Sequence, residues 1–186
     1  MARVGEAIEN PITKERFVWR QTAGETQGAL LQFDLHLGPG AKVAAPHVHP
    51  HQEERFVIHE GHVRLMSAGQ VRHLVAGDTA VVPAGTPHAW WNEGTESAHA
   101  TVDLRPALQS ERFFETFCGL ARDGKANPST GMPAHPLQLA VLFDTYKQEF
   151  AFASAWQRAL LNPILSVLAP IGYRRGFRSE YPAYSL

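Results

Sequence analysis

Between residues 15 and 103 the chain reads as a series of short segments in which apolar and polar residues alternate, separated by turn signals. Residues 29–36 place Leu31, Phe33 and Leu35 on one face, and Gly38-Pro39-Gly40 closes the segment. Residues 54–59 put Glu54, Phe56 and Ile58 on a common face, because side chains two apart on a strand point the same way. Residues 62–66, 71–75, 79–82, 88–91 and 98–104 continue the series at the intervals of a sandwich. Strands this short must stack or close to hide their edges, and a jelly-roll barrel does so. The expected fold is mainly β.

After Pro106 the period changes from two to that of a helix. Ser110 reads as an N-cap with Glu111 in the first turn, Phe113, Phe117 and Leu120 follow on one face, and Gly124 is a stop. A loop through Pro128, Gly131 and Pro133 leads to Pro136 at the start of a second helix, whose apolar face is Leu139, Leu142, Phe143, Tyr146 and Phe150. Ser154 caps a third helix, which Asn162-Pro163 is expected to interrupt. The chain therefore divides into a β-barrel with N-terminal strands over residues 1–105 and a helical extension over 106–186. These helical faces are too apolar to be left in water, which predicts packing on the barrel or on a second subunit, and hence a homodimer. The apolar run 159–171 is shorter than the ~20 residues that span a bilayer and contains Asn162, Pro163 and Pro170, so no membrane span is expected.

Composition narrows the function classes. A chain of 186 residues with a formal net charge of −1 has no electrostatic footprint for nucleic acid, and its apolar C-terminal helices do not suit a DNA-binding sensor. Residues 1–10 lack the apolar core of a signal peptide. The single cysteine, Cys118, excludes an intrachain disulfide and sits among Phe114, Phe117 and Leu120, where it reads as a small buried residue. A reducing, cytoplasmic setting is the expectation.

The chemistry is concentrated in two segments, residues 40–61 and 77–92. They bring together His47, His49, Glu54 and His88, a set of three imidazoles and one carboxylate favoured by divalent transition metals. His47 and His49 are two apart and share a strand face, whereas Glu54 lies an odd number of residues further on. The chain must turn between them, and Pro50-His51-Gln52 is the place for it. His51 reads as a solvated turn residue or as a group supporting the ligands. His36, His59, His62, His73, His99 and His135 read as surface polar residues.

The same two segments resemble the paired motifs of the cupin superfamily, G-x5-H-x-H-x(3,4)-E-x6-G and G-x5-P-x-G-x2-H-x3-N. Gly77, Pro83, Gly85, His88 and Asn92 match the second at every fixed position, and His47, His49, Glu54 and Gly61 match the first. Gly40 stands one residue too early, and the resemblance covers roughly residues 28–104. The glycine spacing favours Glu54 over Glu53 as the carboxylate. The resemblance implies a single cupin jelly-roll barrel carrying one divalent transition metal (iron first, with manganese, nickel, zinc or copper as alternatives). It implies the chemistry of dioxygenases, decarboxylases and isomerases, with oxygenase action on a small enol, diketone or phenolic compound as the lead and a non-catalytic small-molecule binder as the rival. Phe56, Ile58 and Trp90 share the ligand-side faces of their strands, where they would line an apolar pocket or fill the barrel core.

Overall fold

In the computed structural model, which describes residues 2–184, the chain forms eleven strands and three helices. In order these are β1 (Ala7–Asn10), β2 (Glu15–Gln21), β3 (Leu31–Leu37), β4 (His47–Val48), β5 (Glu53–Glu60), β6 (His62–Ser67), β7 (Gln70–Val75), β8 (Thr79–Val82), β9 (His88–Trp91), β10 (Ala98–Arg105), α1 (Ser110–Arg122), α2 (Pro136–Thr145), β11 (Ala151–Phe152) and α3 (Ala155–Arg174). The strands make two antiparallel sheets: β1-β2-β3-β10-β5-β8, and β11-β4-β9-β6-β7. This is the two-layer arrangement of a jelly roll, with apolar residues at alternate positions facing between the layers.

Register follows the alternation. On β5, Glu54, Phe56 and Ile58 are all buried while Glu53, Arg55 and His59 are exposed. The β10 partners of the first three are Leu104, Val102 and Ala100, which continue the inner face. Between β5 and β6 the chain reverses at Gly61, where φ is +70° and an added Cβ would lie 2.7 Å from the Ser97 carbonyl oxygen. Only glycine fits there.

Helices α1 and α2 belong to the same core as the sheets. Phe113, Phe114, Phe117, Cys118, Leu142, Tyr146 and Phe150 form one buried cluster with Phe17, Trp19, Phe33, Phe56 and Trp90. The Phe114 ring centroid is 4.9 Å from that of Phe17 and 5.5 Å from that of Phe33. Cys118 is fully buried, and burial pushes its thiol well above the usual range. Helix α1 ends where expected. The Lys125 N–H returns to the Leu120 carbonyl and the Gly124 N–H to Ala121, with Gly124 at φ +68°, a Schellman closure.

Three local expectations are corrected. Ser110 is the first helical residue rather than the cap, and its hydroxyl donates to the buried Gln52 side chain. Gln52 in turn donates to the Pro106 and Ala107 carbonyls, so the turn before Glu54 is anchored to the start of α1. Helix α2 ends at Thr145, which leaves Phe150 in the connection to β11 instead of on the helix. Helix α3 runs unbroken through Pro163 and Pro170. Both prolines are exposed, as are Ala159 and Ser166 one turn before them, so water can satisfy the carbonyls that lose a partner. The opposite side of α3 is held by packing: a Cβ on Gly172 would meet Val141 at 2.6 Å and the Leu137 carbonyl oxygen at 2.9 Å. Among the described residues no helix is long and apolar enough to cross a membrane.

Candidate metal centre

Strand β4 is only two residues long, yet it is bordered on both sides. His47 is opposite His88 of β9 and opposite Phe152 of β11. His49 follows at the end of β4, and Glu54 projects from β5 in the other sheet, so the group bridges the two layers. Ring centroids are 4.9 Å apart for His47 and His49, 4.4 Å for His47 and His88, and 5.1 Å for His49 and His88. One nitrogen from each ring lies within 4.8 Å of the other two. Glu54 Oε2 is 2.9 Å from His88 Nε2 and 3.7 Å from His49 Nε2. Glu53 and His51 are exposed.

The hydrogen bonds orient these rings. His47 Nδ1 donates to the Ala45 carbonyl at 3.0 Å, His49 Nδ1 to the Glu149 carbonyl at 2.8 Å, and His88 Nδ1 to the Thr86 carbonyl at 2.8 Å. That assignment, which follows from carbonyls being acceptors only, leaves a lone pair on each neutral Nε2. The three Nε2 atoms and Glu54 Oε2 are buried and make no hydrogen bond of acceptable geometry. Buried polar atoms without partners are costly, and four of them converging at one place have the form of a metal site, with backbone carbonyls fixing the imidazoles from behind.

Electrostatics agrees. Burial, reinforced by the neighbouring His88 and His49, pulls His47 well below the ordinary imidazole range. Burial also lowers His49, against the pull of Glu54. For His88 burial is again the largest single influence and acts downward, but Glu54 and the Thr86 carbonyl together outweigh it and raise the net value. A divalent cation bound there would compete with protonation of His88 and take up the Glu54 charge.

Beside this group lies a half-enclosed cavity of about 60 Å³. His47, Trp90 and Glu15 line it, together with a wall of phenyl rings that includes Phe17, Phe113, Phe114 and Phe150. Of the three pocket candidates, Trp90 is on this wall. Phe56 and Ile58 are not among its lining residues; both are buried in the core on the inner face of β5.

Glu15 was not singled out from the sequence. It shares the inner face of β2 with Phe17 and Trp19 and is only 4 % exposed. Its Oε1 accepts a hydrogen bond from Trp90 Nε1 at 3.0 Å. Burial, with a smaller push from the Glu54 charge, raises its pKa from 4.5 to about 7. The available signal was the pattern Glu15-x-Phe17-x-Trp19, a carboxylate where the alternation calls for an apolar residue.

This predicts a pH-dependent cost. The folded protein keeps the Glu15 proton up to about pH 7, whereas the unfolded chain releases it near pH 4.5, so folding takes up a proton between those values. Stability is therefore fully present below about pH 4.5 and declines as pH rises toward 7. Glu15→Gln should exceed the wild type by about 3 kcal/mol at pH 8 and approach it at pH 4.5, since each tenfold change in proton affinity is worth ~1.4 kcal/mol. Urea denaturation at both pH values measures it. A gap of equal size at the two would show that the charge of Glu15 is not what the fold opposes.

Two of the histidines expected on the surface are half-buried there and form a second cluster. His36 and His99, partners across β3 and β10, stack with centroids 4.5 Å apart, and His99 Nε2 is 3.4 Å from Asp34 Oδ1. The guanidinium of Arg20 donates to the other Asp34 oxygen at 2.6 Å. Although burial acts upward on Asp34, Arg20, Thr101 and His99 together hold its carboxyl below the usual range. This is an ion-pair network on the outer face of the larger sheet.

Residues 33–103 match the family model described as the cupin domain. Over 82 residues the chain is 33 % identical to quercetin 2,3-dioxygenase of Bacillus subtilis (strain 168). That stretch is 41 % of this chain and 24 % of the relative, so the chain spans about a quarter of that protein's length. A predicted oxalate decarboxylase from Thermotoga maritima is similar in structure, with a TM-score of 0.50 at 20 % identity over 55 % of this chain and 92 % of that one. An uncharacterized conserved protein with a double-stranded β-helix domain from Klebsiella pneumoniae matches at 25 % identity over 58 % of this chain and 79 % of its own, with a TM-score of 0.44. Residues 33–103 are thus identified as a cupin domain, and they lie within the two antiparallel sheets. That domain carries a candidate histidine-based metal centre, and a helical part follows it in the chain.

Proposed function

We propose that the protein is a mononuclear metal enzyme performing oxygenase-type chemistry on a small enol, diketone or phenolic compound. The observation that carries this reading is the three histidines whose Nδ1 atoms are committed to backbone carbonyls while their Nε2 atoms stay free. His47, His49, Glu54 and His88 would hold one divalent transition metal per chain, iron first and manganese, nickel, zinc or copper after it. Such an ion would supply Lewis acidity, and redox capacity where the metal has it. The chain's own residues do the rest. Carbonyls of Ala45, Thr86 and Glu149 orient the imidazoles, and the phenyl wall keeps water from the cavity. The likeness to a dioxygenase supports the oxygenase class, over the quarter of that relative which the match covers.

The alternative is a non-catalytic small-molecule-binding cupin, or a metal-dependent isomerase or decarboxylase. Metal analysis of the purified protein followed by oxygen-uptake measurement with small diketones and phenols separates them. About one metal per chain with substrate-dependent oxygen consumption is expected. Metal without oxygen uptake across the panel moves the protein to the alternative, and absence of metal overturns the reading.

We place the protein in the reducing cytoplasm, consistent with its one buried cysteine, and as a homodimer joined through α3. Trp156, Leu160, Ile164, Val167 and Ile171 are exposed along this helix, with Trp156 at 67 % and Val167 at 68 %, and the helix contains no acidic residue. Contiguous apolar surface of this kind is rare on soluble monomers. The double substitution Leu160→Glu with Val167→Glu should convert a dimer to a monomer in light scattering. An unchanged mass would remove α3 from the interface.

A further inference from the structure

The geometry points to Glu15 as the residue that orients the ligand, accepting a hydrogen bond from one phenolic or enolic hydroxyl while the rest of a compact molecule lies among the phenyl rings beside His47. This rests on the reading of the cavity as the substrate site. It adds a polar anchor that lies outside both cupin motifs, on the N-terminal strand β2.

Four observations converge on it. Among the residues lining the cavity, Glu15 and His47 are the titratable ones; the rest are aromatic, aliphatic, Pro or Met. An acceptor whose remaining positions face hydrocarbon favours a ligand that carries a donor, because a ligand without one leaves those positions unfilled. Trp90 Nε1 fixes Oε1 of Glu15 at 3.0 Å and the Thr13 side chain also acts on the carboxyl, yet a carboxylate has about four acceptor positions, so capacity remains for a ligand hydroxyl. The same Trp90 ring is 5.3 Å from the His47 ring and 5.9 Å from that of His88, which ties the anchor to the metal-binding group. Finally, the cavity volume of about 60 Å³ is several times the ~10–15 Å³ one water needs and below the ~150 Å³ of an enclosed site that holds benzene. A one-ring ligand would therefore fill it and project through the open side, and a polycyclic one does not suit it.

The raised pKa of Glu15 fits such a role, since a carboxyl near half-protonation at neutral pH can also donate to a ligand oxygen. The retention of a group that costs the fold stability also fits, because polar residues in apolar pockets are where ligands are placed.

Phenol and toluene form the test pair, as they differ only by hydroxyl against methyl. Calorimetric titration of the metal-loaded protein should show phenol binding at least about 10-fold more tightly than toluene, the penalty expected for leaving a buried polar group unpaired. In Glu15→Leu the preference should vanish or reverse, and in Glu15→Gln, which keeps an acceptor, part of it should return. Metal content in both variants should equal the wild type's, so that the effect is not a loss of the centre. His88→Ala distinguishes this proposal from the reading it rests on: phenol preference that survives depletion of the metal belongs to Glu15. Equal affinity of the wild type for the two probes, or a preference that persists in Glu15→Leu and disappears in His88→Ala, would overturn the proposal.

Discussion

Alanine at His88 or His47 is expected to leave the purified protein with less than about a tenth of the wild-type metal. Partners that merely orient metal ligands cost ~10–100-fold in affinity when removed, and removal of a ligand costs at least as much. The loss should be visible by elemental analysis of protein prepared without added metal. His73→Ala is the control, since His73 is exposed on β7, remote in the sheet order from β4. Glu54→Gln should lower metal content far more than Glu53→Gln, because Glu54 is 2 % exposed and within 3.7 Å of two of the imidazoles whereas Glu53 faces water. Full stoichiometry in both histidine variants would sink the assignment of this set as metal ligands.

That prediction was legible in the sequence because local spacing decides it. Two imidazoles two residues apart must share a face, and a carboxylate five residues past His49 must come from another strand. What the sequence did not reveal is what distant segments bring to the same place. Glu15 comes from β2, and the carbonyl that orients His49 comes from Glu149, 100 residues further along. Phe113, Phe117 and Leu120 were expected as a helix face, and all three are buried on α1; that Phe113 and Phe117, with Phe114 beside them, also wall the cavity depends on where α1 docks. The His36–His99 stack was missed for the same reason, since only the pairing of β3 with β10 creates it. Pro163 misled in a different way: its cost in a helix interior is real, but the opposite side of α3 packs well enough on α2 to carry it.

Phe114→Ala should destabilise the protein by about 3–5 kcal/mol, the usual cost of removing a buried phenyl ring. Its ring meets Phe17, Trp19, Phe33 and Phe150, joining α1 to the inner faces of β2 and β3. Against a total stability of ~5–15 kcal/mol that is a large fraction, and urea denaturation would show it as an earlier midpoint. Deleting residues 106–186 removes this ring together with Phe113, Phe117, Tyr146 and Phe150, strand β11, and the carbonyls and hydroxyl to which Gln52 is bonded. The remaining sheets should aggregate, as judged by light scattering. A monodisperse truncated protein with the subunit number of the full chain, or a Phe114→Ala loss below about 1 kcal/mol, would show the helices to be appended to a self-sufficient barrel.

The bond from His49 to the Glu149 carbonyl also sets an order of events during synthesis. Residues His47, His49, Glu54 and His88 all leave the ribosome before the segment that fixes the His49 tautomer and borders β4 through β11. At ~5–20 residues per second, the 100 residues between His49 and Glu149 take roughly 5–20 s to make. During that interval the nascent chain holds the side chains of the centre without its finished framework. The arrangement of the three imidazoles is thus completed late, only after the C-terminal part has docked, and a chain stalled before Glu149 lacks the bond that orients His49.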